Sequence, residues 1–161
     1  MHRVGTERRV SCWGRADYIG NGASMRALVP TEATGIDDAI QVGCGGANVC
    51  VLREGGRVSC WGQNTEGQLG IETTAPTNTP VQVPGLQLVS RLSVGQVTAF
   101  ASRTDGSVAG WGDNELGQLG IGTTGDTALS PVPILASGIE VTGGSRYGCT
   151  VDAAGDVYCW G

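Results

Sequence analysis

Six cysteines hold the most reactive side-chain chemistry in this 161-residue chain. Cys50 and Cys60 lie ten residues apart around Gly55, and Cys149 and Cys159 repeat that spacing around Ala154. Two thiols facing each other across a hairpin are within disulfide reach, because directly opposed residues there sit about 4.5 Å apart at Cα. Between the two pairs the same positions change together, to Phe100 and Gly110. A large ring lying over a glycine fills the volume that a bridge would occupy. Joint presence and joint loss within one chain imply that these positions touch.

Whether the bonds form depends on the compartment. A bridge closing so short a loop adds roughly 3 kcal/mol at most. Two matched pairs point to an oxidising location such as the periplasm, the cell surface or the exterior. Reduced cysteines acting as small buried hydrophobes are the alternative, and they leave the cytoplasm open. Cys12 and Cys44 have no equivalent partners. The repeat spacing sets Cys12 against His2, and a Cys12–Cys44 bridge between neighbouring modules is a further option.

Other chemistry finds little support. A metal site would want several nitrogen or sulfur ligands, yet His2 is the only histidine and no Cys-x-x-Cys occurs. Gly120-Ile121-Gly122-Thr123-Thr124-Gly125 matches a dinucleotide fingerprint by letters, but Gly70-Ile71-Glu72-Thr73-Thr74 stands at the same place in a sister segment, which makes it a structural turn. A phosphate-binding loop needs a lysine, and the chain has none. Asp152 with Asp156, and Asp37 with Asp38, fit turn chemistry better than acid–base catalysis. No catalytic, cofactor-binding or metal residue is assigned, and the expectation is a non-enzyme.

Charge narrows the partners. The formal net charge is −5 and all ten basic residues are arginine; Arg3, Arg8 and Arg9 cluster while the rest scatter. Nucleic-acid binding concentrates basic residues on one surface, so direct nucleic-acid contact is not expected. The longest mostly apolar stretch, Ala128 to Ile139, is too short to span a bilayer and holds two prolines. The first fourteen residues lack the apolar core of a secretion signal, so export would need a signal upstream.

The elements that position these residues come from a repeat. Trp13-Gly14, Trp61-Gly62, Trp111-Gly112 and Trp160-Gly161 recur at intervals of 48, 50 and 49 residues. Such a period denotes stacked modules, each too small to bury its own apolar face. Before each Trp-Gly, short β-branched runs flank a glycine-bearing turn and predict a hairpin. Ile40-Gln41-Val42, Leu92-Ser93-Val94 and Ile139-Glu140-Val141 predict a third strand. The proline-bearing runs at Leu28–Pro30, Pro80–Val83 and Pro131–Ile134 predict a fourth, at a sheet edge where proline is tolerated. Strand alternation sends Val58 and Cys60 to one face and Ser59 and Trp61 to the other, which suits a sheet covered on both sides.

Four short strands per module suggest β-propeller blades. The segments CWGQNTEGQLG and GWGDNELGQLG resemble the regulator of chromosome condensation repeat, whose members form seven-bladed propellers. That resemblance also implies a histidine two residues before the first blade cysteine; Asn48, Thr98 and Tyr147 stand there instead. The chain is similar as well to the propeller-type β-lactamase inhibitor protein. The expected fold is all-β, a partial propeller of about three four-stranded blades and a fragment of a seven-bladed ring. Residues 1–14 supply the last strand of a preceding blade, with blades at 15–62, 63–112 and 113–161. The missing blades come from the same chain or from other copies.

Residues identical between copies serve every module. They are Trp13, Trp61, Trp111 and Trp160, together with Gly67-Gln68-Leu69-Gly70 and Gly117-Gln118-Leu119-Gly120. The tryptophans are expected to pack blade on blade. Specificity must then sit where the copies differ: 15–18, 24–26, Thr65-Glu66, 75–78, 126–129 and Arg146-Tyr147, the last two being residue types favoured at interface hot spots. The expected role is a non-catalytic scaffold that binds another protein through rim loops. The resemblance implies two alternatives, guanine-nucleotide exchange on a small GTPase and inhibition of an extracellular enzyme.

Overall fold

The computed structural model describes residues 7–134 and 137–161, which leaves His2 and Arg3 outside the described residues. Every regular element is a strand, apart from single turns of 3-10 helix at Ala16–Tyr18 and Glu54–Gly56. The first sheet pairs β1 (Ser11–Gly14) with β2 (Ala27–Glu32). The second runs β3 (Ala39–Cys44), β4 (Asn48–Arg53), β5 (Arg57–Gly62) and β6 (Thr77–Gln82) in order. The third repeats it with β7 (Val89–Val94), β8 (Thr98–Arg103), β9 (Val108–Gly112) and β10 (Ala128–Pro133). The fourth holds β11 (Glu140–Gly143), β12 (Gly148–Val151) and β13 (Val157–Trp160). Pairings between the named strands are antiparallel and join neighbours in sequence, and the architecture is a partial β-propeller.

The core lies between sheets, as period-2 alternation requires. Val49, Val51 and Trp61 cluster with Val10, Ala33 and Ile36, which flank the strands of the first sheet. Their neighbours on the same strands, Cys50, Leu52, Val58 and Cys60, join Val89, Leu92, Ala99 and Ala101 of the third. The third sheet's other apolar residues, including Phe100 and Val108, cluster with Val141 and with Trp160 of the fourth. Each fully buried Leu or Val contributes roughly 1.5–3 kcal/mol.

Three expectations change. The even four-stranded blade holds for the second and third sheets, while among the described residues the fourth contains three strands and the first two. The intervals 15–62, 63–112 and 113–161 describe the sequence period, but the hydrogen-bonded sheets run out of phase with them. β6 lies in the interval 63–112 yet pairs with β5, Ser59 opposite Gln82 and Cys60 opposite Val81. β10 likewise closes on β9. The chain turns back after each Trp-Gly and lays its proline strand on the edge it has just left, so one interval supplies strands to two sheets. Finally, Trp13 is 67% exposed whereas Trp61 and Trp111 are fully buried. Each buried indole packs on a turn one module upstream, and among the described residues no such turn precedes Trp13.

Candidate functional site: a rim of copy-variable loops

Each packed indole is held by the same backbone device. Trp61 Nε1 donates to the Tyr18 carbonyl at 3.0 Å, Trp111 Nε1 to that of Gln68 at 3.0 Å, and Trp160 Nε1 to that of Gln118 at 2.9 Å. Two residues beyond each acceptor is a glycine against the ring. A Cβ on Gly20, Gly70 or Gly120 would come within 2.7 Å of the next module's indole, and all three have positive φ. The Gln-Leu-Gly motif is therefore a cradle for the following tryptophan. Its glutamine also folds back, Gln68 Oε1 accepting from the Glu66 N–H at 2.9 Å and Gln118 Oε1 from the Leu116 N–H at 2.8 Å. Leu69 and Leu119 point into the inter-sheet cores.

Asn64 and Asn114 are the residues that sequence reasoning missed. Both are fully buried. Asn64 Oδ1 accepts from the Leu69 N–H at 2.9 Å, while its Nδ2 donates to the carbonyls of Thr73 at 2.6 Å and Ala75 at 3.0 Å. Asn114 makes the Leu119 and Thr123 bonds of the same set. Each pins the cradle turn to the loop that leads into the next outer strand. Their signal was the identical offset from Trp61 and Trp111.

Sheet register then gathers the variable segments. Gly14 faces Ala27, Gly62 faces both Asn48 and Thr77, and Gly112 faces both Thr98 and Ala128. Gly62 and Gly112 therefore share a rim with both the loop before the hairpin and the start of the outer strand, Gly14 with the start of the outer strand, and Trp160 with the loop before its hairpin. All six copy-variable segments fall on this one rim. The inner loops there stack from sheet to sheet, with Ser145 Oγ 3.2 Å from Gln96 Oε1 of the preceding loop. Arg146 and Tyr147 are exposed at the tip of the loop closed by the Gly144 N–H to the Tyr147 carbonyl at 2.9 Å. A cleft of about 660 Å³ opens between the first two modules, lined by Arg15, Asp17, Tyr18, Gln63 and Thr65, with the Arg15 guanidinium 5.4 Å from the Tyr18 ring.

The opposite rim carries the hairpin turns and ties its own charges together. Arg53 Nε donates to Asp38 at 2.5 Å, Arg57 reaches the other Asp38 oxygen at 3.0 Å, and Arg8 pairs with Glu54. Hydrogen bonds from Ser107 hold the Asp105 carboxyl below its usual value. On the loop rim the ion pair is Arg15 with Asp17, at 3.4 Å.

The cysteines fall where their spacing placed them. Cys50 opposes Cys60 and Cys149 opposes Cys159 in register; each pair is bonded with Cα atoms 4.1 Å apart. Phe100 opposes Gly110 at the equivalent place, and a Cβ on Gly110 would lie 3.0 Å from the ring. Cys12 and Cys44 are free thiols lining one shared cavity with Trp13. Burial pushes both thiols up, and for Cys12 the neighbouring Cys44 adds to it.

Of the histidine-slot residues, Asn48 and Thr98 are buried without side-chain partners and Tyr147 is exposed. Among the described residues no cluster of metal-binding side chains occurs, and no helix is long and apolar enough to cross a membrane. The family model for the Regulator of chromosome condensation (RCC1) repeat matches residues 55–101 and 105–151, more than half the chain, and a second model of that description matches 39–68. The chain belongs to the regulator of chromosome condensation repeat family. The matched residues include Trp61, Gly70, Trp111 and Gly120.

Among curated proteins, the human E3 ubiquitin-protein ligase HERC2 is 36% identical over 82 residues, 48% of this chain and 2% of HERC2. The human Regulator of chromosome condensation is 31% identical over 90 residues, 53% of this chain and 21% of that protein. The chain thus spans about a fifth or less of these relatives. Yeast RCC1 (Prp20), solved bound to Kap60, superposes with a TM-score of 0.80 at 18% identity, over 94% of this chain and 39% of that one. Human WBSCR16 gives 0.76 at 22% identity, over 84% and 36%. These likenesses establish the propeller fold.

Proposed function

We propose that this chain is a non-catalytic scaffold that recognises another protein through its loop rim. The observation that carries this reading is the convergence of all six copy-variable segments on one rim of a frame locked by identical Trp-to-carbonyl bonds. A rigid frame with variable rim loops suits recognition without ordering cost at the interface. Arg146 and Tyr147 serve as exposed anchors, and the 660 Å³ cleft at Arg15 and Tyr18 receives a projecting side chain. The two bonded cysteine pairs favour an extracytoplasmic setting.

A photo-crosslinking residue placed at Tyr147 tests the reading against one at Gly106 on the hairpin rim. Partner adducts form from position 147 and not from 106; the reverse pattern overturns it. A second reading, nucleotide exchange, draws on a solved neighbour, Prp20p from Saccharomyces cerevisiae, described for its binding to Gsp1p and histones. Under the scaffold reading, nucleotide release from small GTPases proceeds at the unassisted rate. Acceleration at catalytic amounts of the chain selects exchange, and reduced turnover of an extracellular enzyme such as a β-lactamase selects inhibition.

A further inference from the structure

Asn21 and Gly22 form the only Asn-Gly pair in the sequence. The residue after each cradle glycine is Asn21, Ile71 or Ile121. Ile71 and Ile121 each pack against an inter-sheet cluster. Asn21 puts a carboxamide in that place, in a half-buried turn whose Gly22 is exposed. The repeat's packing asks for an aliphatic residue here, and the first module supplies a reactive one instead.

An asparagine before glycine is open to attack by its own main chain. The next backbone nitrogen closes a ring on the side-chain carbonyl carbon, and glycine has no Cβ to obstruct the approach. The Ala23 N–H donates to Asn21 Oδ1 at 3.0 Å, which polarises the carbonyl that must be attacked. Asn48, Asn64 and Asn114 are buried and precede Val49, Thr65 and Glu115, while Asn78 precedes Thr79. Asp105-Gly106 on the hairpin rim is the nearest alternative, but Ser107 bonds hold that carboxyl in its ionised form, a poor electrophile.

The turn is also a joint between sheets. The Gly22 N–H donates to the Asn78 carbonyl of β6 at 3.0 Å. Two residues earlier, a Cβ on Gly20 would come within 2.7 Å of the Trp61 indole, and the Gly20 carbonyl accepts from the Thr34 N–H at 2.9 Å. The spacing from cradle to clamp is thus fixed at both ends. While the Gly22 N–H is engaged its nitrogen is held, so ring closure waits for the clamp to open.

We propose that Asn21 is a self-modification site whose product loosens the join between the first and second sheets. The Gly22 nitrogen bonds to Asn21 Cγ as the bond from Cγ to the carboxamide nitrogen breaks. That nitrogen leaves as ammonia, carrying the proton lost from Gly22. Water then opens the succinimide ring at either carbonyl and yields aspartate or isoaspartate; no oxidant or reductant is involved. The ring form has no Gly22 N–H to give to Asn78. In isoaspartate the main chain runs through the former side chain, which adds a carbon between Gly20 and Gly22, so cradle and clamp no longer fit together. The new carboxylate adds a negative charge to a chain already at −5. The site does not depend on the rim-loop reading.

The test ages the 161-residue chain and an end-blocked peptide of residues 19–25 side by side at pH 7.5, followed by mass spectrometry. Asn21 converts ahead of Asn48, Asn64, Asn78 and Asn114. It converts roughly 5- to 30-fold more slowly than in the peptide, the effect of one hydrogen-bonded clamp that must open. In urea the two rates agree. The isoaspartate form, separated by ion exchange, shows faster hydrogen exchange at the Gly22 amide and the Trp61 indole than the unmodified chain. Asn21→Gln, whose ring closes far less readily, stays unmodified and keeps the slow exchange. Asn21 left intact well beyond the stated delay, earlier conversion of another asparagine, a rate equal to the peptide's, or unchanged exchange after modification overturns the proposal.

Discussion

Gly70 lies directly beneath Trp111, so close that a single added methyl would sit 2.7 Å from the indole Cδ1. The contact joins one module's turn to the next module's sheet, and Trp61 and Trp160 repeat it on Gly20 and Gly120.

Gly70→Ala therefore combines overpacking with backbone strain at φ 67 and lowers stability by roughly 2–5 kcal/mol. Gly55→Ala is the matched control. Its φ is 76 but nothing lies within 4 Å of the added carbon, so only the strain remains, about 1 kcal/mol. Urea unfolding of both variants separates the two effects, and equal losses would show that the indole contact contributes nothing.

The bridge and the aromatic–glycine pair are not freely exchangeable. The Phe100 ring reaches Gly143 of the fourth sheet, where a Cβ would lie 2.6 Å away. The counterpart of Gly143 one sheet earlier is Val94, which packs against the cluster holding Cys50. Cys50→Phe with Cys60→Gly should thus fall below Cys50→Ala with Cys60→Ala by about 1–3 kcal/mol of overpacking. Adding Val94→Gly should recover part of that loss in thermal denaturation.

Asn64 bonds three backbone groups from a fully buried position. Asn64→Ala strands those groups and costs roughly 2–4 kcal/mol. Asn114 holds fewer bonds, so Asn114→Ala costs less. Chemical denaturation of the two variants gives the order directly.

Cys12 and Cys44 carry thiols raised by burial, so they stay protonated at neutral pH. A raised folded value means the neutral form is favoured, and stability linked to it is present below the ordinary thiol value of 9.0 and lost above it. Iodoacetamide should modify half-buried Cys12 more slowly than exposed Cys44 at pH 7.5, and both faster above pH 9, followed by mass spectrometry. Labelling of Cys12 as fast as Cys44 at neutral pH would contradict the burial argument.

Much of this was legible in the residues. The tryptophan period, the facing cysteines and the proline strands depend on local spacing, which sequence displays. Asn64 was hidden because an asparagine after a strand reads as an ordinary turn former, while its work depends on carbonyls nine and eleven residues on. The sheet phase was hidden too, since nothing local tells β6 whether to join β5 behind it or β7 ahead. Exposure of Trp13 depends on a cradle that only another module can supply. The rim assignment needed register, because one residue of slip would send each loop to a different neighbour.

Because every Trp-to-Trp interval ends one sheet and begins another, the join between intervals is the same wherever it falls. A gene that duplicates or deletes one whole interval reproduces that join without a frayed seam. Array length can drift over generations while each internal sheet keeps its full complement of strands.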